Sequence, residues 1–254
     1  MIIVISPAKT LYDRSPVPFQ KFTQADFLPE AERIVSLLKK KKPAQLAKLM
    51  DISPKLAELN YVRFQSWALP FSPENSWQAV LMFNGDVYQG LQAETFSDSE
   101  FENAQQHLRI LSGVYGLLKP LDLIQPYRLE MGTNLPVARK KNLYEFWKTK
   151  ITTHLNQEFE TTGQNVMVNL ASNEYFSAID TKKLKARIIT PTFKEQKNGQ
   201  YQMISFFAKK ARGLMSRFII QNGITDPEDM KAFDREGYYF NNQLSKENDW
   251  VFTR

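Results

Sequence analysis

Apolar positions along the chain fall into two kinds of run, continuous and helically spaced, and their alternation predicts the elements. Residues 1–6, MIIVIS, are continuously apolar and β-branched and predict a buried strand, which SPAKT at 6–10 breaks into a loop. Residues 29–42 predict an amphipathic helix from Ile34, Leu37 and Leu38, with Pro29 near its first position. It ends in Lys39 to Lys42, where the helix dipole favours cations. PAQLAKLMDISPKLAELNYVRF, 43–64, predicts a helical hairpin whose second helix starts at the cap pair Ser53-Pro54. AVLMFN, 79–84, predicts a second strand, with Gly85-Asp86 turning into VYQGL. Ser97 or Asp98 caps a helix through about His107, and LRILSGVYGLLKP, 108–120, predicts a buried strand and turn. His107 reads as a helix-surface or satisfied core histidine. Leu143, Phe146, Trp147, Ile151, Leu155 and Phe159 predict a core-packing helix over 142–160. NVMVNLASNEYF, 165–176, predicts another buried strand that runs into a polar cluster of Asn169, Ser172, Glu174 and Tyr175.

The segment 181–225 organises the charge. It holds ten Lys or Arg against one acid, Glu195, while the whole chain carries only +6, so the rest is net acidic. Charge gathered in this way makes a field that attracts polyanions. Asn198-Gly199 is a type I′ turn signal between ARIITPTF and YQMISFF and predicts a hairpin. FFAKKARGLMSRFIIQNG predicts a helix ending at Asn222-Gly223. On a wheel of about 100° per residue, Phe207, Ala211, Leu214, Met215 and Phe218 form its buried stripe. Lys209, Gly213 and Ser216 point the opposite way, flanked by Arg212, Lys210 and Arg217. Small residues among cations with no acid at helical spacing suit an anion-binding face; the other reading is an ordinary solvated face. Residues 226–254 read as an acidic tail.

At 254 residues, 43% hydrophobic and with no repeat or linker, the chain can bury one sizeable core. The fold class expected is α+β: one continuous domain with a mixed β-sheet flanked by helices, including the helix-hairpin-helix-like segment 43–67. No stretch approaches the roughly 18 apolar residues of a membrane span, and the N-terminal run is too short for a signal peptide, so a cytoplasmic location is expected. The absence of Cys excludes disulfides, thiolate chemistry and iron–sulfur ligation, and two His leave little for a transition metal. Neither metal nor cofactor is expected.

Several residues carry candidate chemistry. Lys9, just past the first strand, is either ligand-facing or an ordinary surface lysine. Arg128 and Glu130 in PYRLEMG share one face if extended, as an intramolecular ion pair or as site residues. In the 43–64 hairpin, Leu46, Leu49, Ile52 and Ala57 fit the hydrophobic spacing of the helix-hairpin-helix motif, with Asp51 and Ser53 where that motif has glycines. Such a hairpin holds a DNA phosphate on backbone N–H groups at Ile52-Ser53, with Lys55 beside them. The other reading is a purely structural hairpin, and Asp51 opposes phosphate.

ISPAKTL, NGDVYQGLQAETF, QQHLRILSGVYGLLKPLDLIQPYRLEMG, NLASNEYF and ISFFAKKARGLMSRFII, in this order, resemble the bacterial YaaA family of peroxide-stress-resistance proteins almost end to end. The resemblance implies a cytoplasmic protein that protects against hydrogen peroxide and iron-driven damage. It further implies DNA binding by an unusual single-domain fold with a helix-hairpin-helix element and a basic cleft. Carried onto this chain, the motif positions are Lys9, Asp86, Arg128, Glu130, Asn169, Ser172, Glu174, Tyr175, Lys209, Lys210, Arg212 and Arg217.

Without Cys there is no thiol peroxidase cycle, and no motif supports a haem, so detoxification by the chain itself is not expected. The expected partner is double-stranded DNA, bound without catalysis and with no obligate protein partner. The alternative is an enzyme acting on an anionic or nucleotide-like substrate, with Lys9, Arg128, Lys209 and Arg212 holding the anion and Glu130 or Glu174 as acid or base. An iron-chelating carboxylate protein has no supporting Glu-x-x-His pair. A closed pocket of small-molecule size favours the enzyme; an open groove of duplex width favours DNA.

Overall fold

A computed structural model describes residues 1–12 and 20–254. Its frame is a mixed, eight-stranded sheet. The strands are β1 (Ile2–Ile5), β2 (Leu108–Ser112), β3 (Gly116–Leu118), β4 (Val166–Leu170), β5 (Arg187–Lys197), β6 (Gln200–Gln202), β7 (Tyr239–Phe240) and β8 (Asp249–Thr253). Their order is β7-β8-β5-β4-β1-β2-β3, with β6 folded back on β5. The five central strands run parallel, and β3, β6 and β7 join antiparallel at the margins. Parallel strands are buried on both faces, which is why β1 reads as an unbroken apolar run and β2 and β4 are buried and mostly apolar, broken only by Arg109, Ser112 and Asn169.

The helices are α1 (Leu28–Lys39), α2 (Pro43–Met50), α3 (Pro54–Ser66), α4 (Ala79–Met82), α5 (Asp86–Leu91), α6 (Asp98–His107), α7 (Leu143–Thr162), α8 (Asn173–Phe176) and α9 (Ser205–Gln221). Most start where a local signal says they should. Ser97 accepts from the Glu100 N–H while Glu100 reaches back to Ser97, a complete capping box for α6. Asn142 accepts from the Glu145 N–H at 3.0 Å, and Gly163 closes α7 at φ 68°. His107 sits against the Met1 carbonyl at 2.9 Å, a satisfied position. Asn198 (φ 52°) and Gly199 (φ 76°) make the primed turn between β5 and β6.

Three expectations need correction. Residues 79–82 are helical, and only Phe83–Asn84 is extended, pairing with Thr10–Leu11. All four helical residues are buried, so their apolar run had no periodicity to separate helix from strand. Residues 226–254 are no tail. Trp250, Val251 and Phe252 are buried in β8, which lies parallel to β5, and Phe252 joins an aromatic cluster with Phe193, Phe233 and Phe240. The acids of this segment sit outside those positions and masked the pattern. In α9, Gly213 and Ser216 are buried while Phe207 is 36% exposed and Leu214 and Phe218 are half-buried. The reason is tertiary: α5 crosses α9 on the side where the wheel placed solvent. A methyl group on Gly213 would lie 1.8 Å from the Val87 carbonyl oxygen.

Candidate functional site

Strands β1 and β4 are neighbours and parallel, yet their onward connections part. The chain after β1 continues in the sheet at β2 on one side, and after β4 it continues at β5 on the other. Their carboxyl ends therefore open a crevice at the point where strand order reverses, the usual place for a ligand in a parallel sheet. A cleft of about 450 Å³ occupies that place.

Its floor is a set of hydroxyl groups. Ser6, at the end of β1, donates to the Ser172 hydroxyl at 3.2 Å and accepts from the Ser172 N–H at 2.9 Å, which ties the two strand ends together. Tyr88 on α5 donates to the Ser6 carbonyl at 3.1 Å. Tyr88 and Tyr175 are buried, and burial pushes both phenols up, so both remain neutral donors.

Charge surrounds the floor. Glu174 and Asp86 line the cleft with Lys9, Lys209 and Arg212. Glu174 accepts from the Gly132 N–H at 3.0 Å, while Tyr144 donates to the Glu174 carbonyl. Lys9 pairs with Glu130 at 2.7 Å, and the other Glu130 oxygen accepts from Arg128 at 3.1 Å. Arg128 Nε is buried without a partner among the described residues. Lys209 approaches Asp86 only to 4.0 Å. Arg212 differs from these cations: it is half-buried, and its guanidinium has no hydrogen-bond or ion-pair partner among the described residues. Burial lowers its pKa.

A family model described as peroxide stress protein YaaA matches residues 1–244. The chain belongs to that family. It is 54% identical over 254 residues to a UPF0246 protein of Neisseria gonorrhoeae strain FA 1090, covering the whole chain and 98% of the relative. A UPF0246 protein from strain NCCP11945 of the same species is 53% identical over the same coverage.

In this YaaA-family chain the cleft gathers Lys9, Asp86, Ser172, Glu174, Tyr175, Lys209 and Arg212, and Glu130 with Arg128 joins it through Lys9. The remaining positions go elsewhere. Asn169 is buried and accepts from the Ala171 N–H at 3.1 Å, shaping the turn out of β4. Lys210 pairs with Glu236. Arg217 donates to the Leu91 and Gln92 carbonyls, both at 2.9 Å, and lies over the Phe96 ring, so it caps α5. Ser6 and Tyr88 line the cleft although the motifs SPAKT and GDVYQG drew attention only to their charged members. Their signal was position: each follows a strand end or turn.

Ile52, Ser53 and Lys55 are not among the cleft residues; they stand on the α2–α3 hairpin. There Asp51 adopts the left-handed conformation, φ 50° and ψ 56°, and Ser53 caps α3 by accepting from the Leu56 N–H at 3.4 Å. Ser53, Lys55, Lys40 and Lys48 are exposed, and these three lysines carry no ion pair among the described residues. No group of three His, Asp or Glu placed to hold a metal occurs among the described residues, and none of their helices is long and apolar enough to cross a membrane.

Proposed function

We propose that this chain serves the peroxide stress response as a non-enzymatic binder of duplex DNA, gripping phosphates at the α2–α3 hairpin in the cytoplasm. The observation that carries the reading is the conformation of Asp51. It takes the left-handed geometry that a motif glycine supplies, which supports reading the turn between the helices as a helix-hairpin-helix turn despite the substitution. The start of α3 offers N–H groups to an anion beside Ser53, and Lys40, Lys48 and Lys55 add unpaired charge. This moves the principal contact from the cleft, where Lys9 and Arg128 share Glu130, to the hairpin. Lys209 and Arg212 remain secondary contributors at the cleft mouth.

The test is duplex affinity against salt. Each phosphate contact contributes a slope of roughly −0.9 in log affinity against log salt. A slope equivalent to several contacts and little preference among sequences are expected. Lys48→Ala with Lys55→Ala should reduce the slope by about 1 to 2. A flat salt dependence, or no binding at low salt, overturns the reading.

A further inference from the structure

We propose that the cleft between the carboxyl ends of β1 and β4 binds a small, hydroxyl-bearing phosphate monoester of mononucleotide or sugar-phosphate size. This proposal does not rest on the DNA reading, whose principal contact is the α2–α3 hairpin.

Three observations converge. The first is place: the cleft opens at the reversal of strand order, where the strand-end loops leave room for a ligand. The second is size. About 450 Å³ lies within the range of small-ligand pockets, roughly 300–1,000 Å³, and is far too small to take a duplex.

The third is charge. Arg212 brings a half-buried guanidinium with no partner among the described residues, and such a cation is costly to leave uncompensated. A guanidinium stays protonated at neutral pH even with its pKa lowered by burial. Its planar fork suits two oxygens of one phosphate group. Lys209 lies one turn earlier on α9 and lines the same cleft, held only loosely by Asp86.

The acidic members then select what the phosphate is attached to. Asp86 and Glu174 accept hydrogen bonds, which suits ligand hydroxyls and disfavours a second anionic group deep in the cleft. One Glu174 oxygen is already engaged by the Gly132 N–H, which fixes the carboxylate and leaves the other oxygen for a ligand. The Ser6 and Ser172 hydroxyls line the same cleft.

The test uses the full chain with ribose 5-phosphate and adenosine 5′-monophosphate as probes. Ribose, adenosine and succinate serve as controls. Titration calorimetry and thermal unfolding are read on the parent, Arg212→Gln and Arg212→Lys. Both phosphate esters should bind and raise the melting temperature with concentration, whereas ribose and adenosine should not. Arg212→Gln should weaken ester binding by about tenfold or more, with partial recovery in Arg212→Lys, as expected for loss of one charge-assisted contact. Because the Arg212 side chain makes no hydrogen bond or ion pair among the described residues, the ligand-free variants should melt like the parent. If either fails to fold, Lys209→Ala, whose side chain is 53% exposed, replaces it and should also weaken binding.

No binding of either ester at millimolar concentration overturns the proposal. So does equal binding by Arg212→Gln, or stabilisation by succinate but not the esters. Duplex affinity is measured on the same samples. Loss of DNA binding in the Lys48 and Lys55 variants with ester binding intact separates the two sites, and absence of DNA binding with ester binding intact sinks the DNA reading alone.

Discussion

Gly90 and Gly213 face each other where α5 crosses α9, and neither position has room for a methyl group. A Cβ on Gly90 would lie 2.2 Å from the Lys210 carbonyl oxygen, and one on Gly213 would lie 1.8 Å from that of Val87. Both obstacles are backbone, which cannot rotate away. The crossing also sets the cleft, because Asp86 begins α5 while Lys209 and Arg212 ride on α9.

Gly213→Ala should therefore destabilise the protein although alanine is the better helix former by about 1 kcal/mol. Overpacking costs typically about 1–3 kcal/mol, and a backbone obstacle at 1.8 Å puts this case at the upper end, so the net loss after the helix gain should be about 2 kcal/mol. Denaturant midpoints at unchanged slope measure it. A variant as stable as the parent means that the helices are further apart than described.

His154 predicts a pH dependence. Its Nε2 lies 3.3 Å from Asp26 and 3.4 Å from Glu158. The hydrogen bond to Asp26, followed by that to Glu158, raises the imidazole to about 9, and the bond from His154 lowers Asp26 to about 2. A folded pKa above the unfolded value of about 6.5 stabilises fully below that pH, and the contribution fades as pH rises through 9. The Asp26 contribution is present above about 4 and is lost as pH falls through 2. After discounting for partial exposure, His154→Gln should cost about 1–2 kcal/mol at pH 6 and almost nothing at pH 10. Chemical denaturation at the two pH values decides; an equal loss at both removes the ionic explanation.

Local signals were legible in the chain wherever one residue type has one job. Ser97, Ser53-Pro54 and Asn198-Gly199 each mark a boundary that the structure keeps. The Arg128–Glu130 pairing was legible too, since alternate residues of an extended segment share a face. Positions set by packing between distant segments were not. Nothing near Gly213 announces that α5 will bury it, and Arg217 looks like a phosphate ligand until the Leu91 and Gln92 carbonyls appear beside it. The cleft was half legible: its charged residues stand out, but Ser6 and Tyr88 become members only when β1 and β4 are placed side by side.

The corrected face of α9 reorders the effects of substitution there. Met215 is fully buried, and Met215→Ala should cost about 2–5 kcal/mol. Phe218 is half-buried, in edge contact with Phe233 at 5.5 Å, so Phe218→Ala should fall below the roughly 3–5 kcal/mol of a fully enclosed phenylalanine. Lys209→Ala, at an exposed position, should stay within about 0.5 kcal/mol of the parent. Thermal melts of the three test the order, and a larger loss at Lys209 than at Met215 would mean a rotated helix.

The hairpin supplies the last prediction, because at Asp51 conformation and charge pull in opposite directions. The left-handed backbone suits glycine, and aspartate is among the few residues that tolerate it. Its carboxylate, however, sits beside the N–H groups proposed to meet a phosphate. Asp51→Gly keeps the geometry and removes the repulsion, so duplex binding should tighten by a few tenths to about 1 kcal/mol, the size of a screened surface charge effect. Stability should hold or rise slightly, since glycine is the common residue at this helix-end position. Ser53→Glu should loosen binding by a similar or larger amount. Ser53 also caps α3, and loss of that cap costs about 1 kcal/mol of folding, so affinity must be measured where both variants are fully folded. Fluorescence anisotropy at low salt gives the comparison. Should Asp51→Gly and Ser53→Glu both bind like the parent, the hairpin is structural and any DNA contact lies on the basic helix α9.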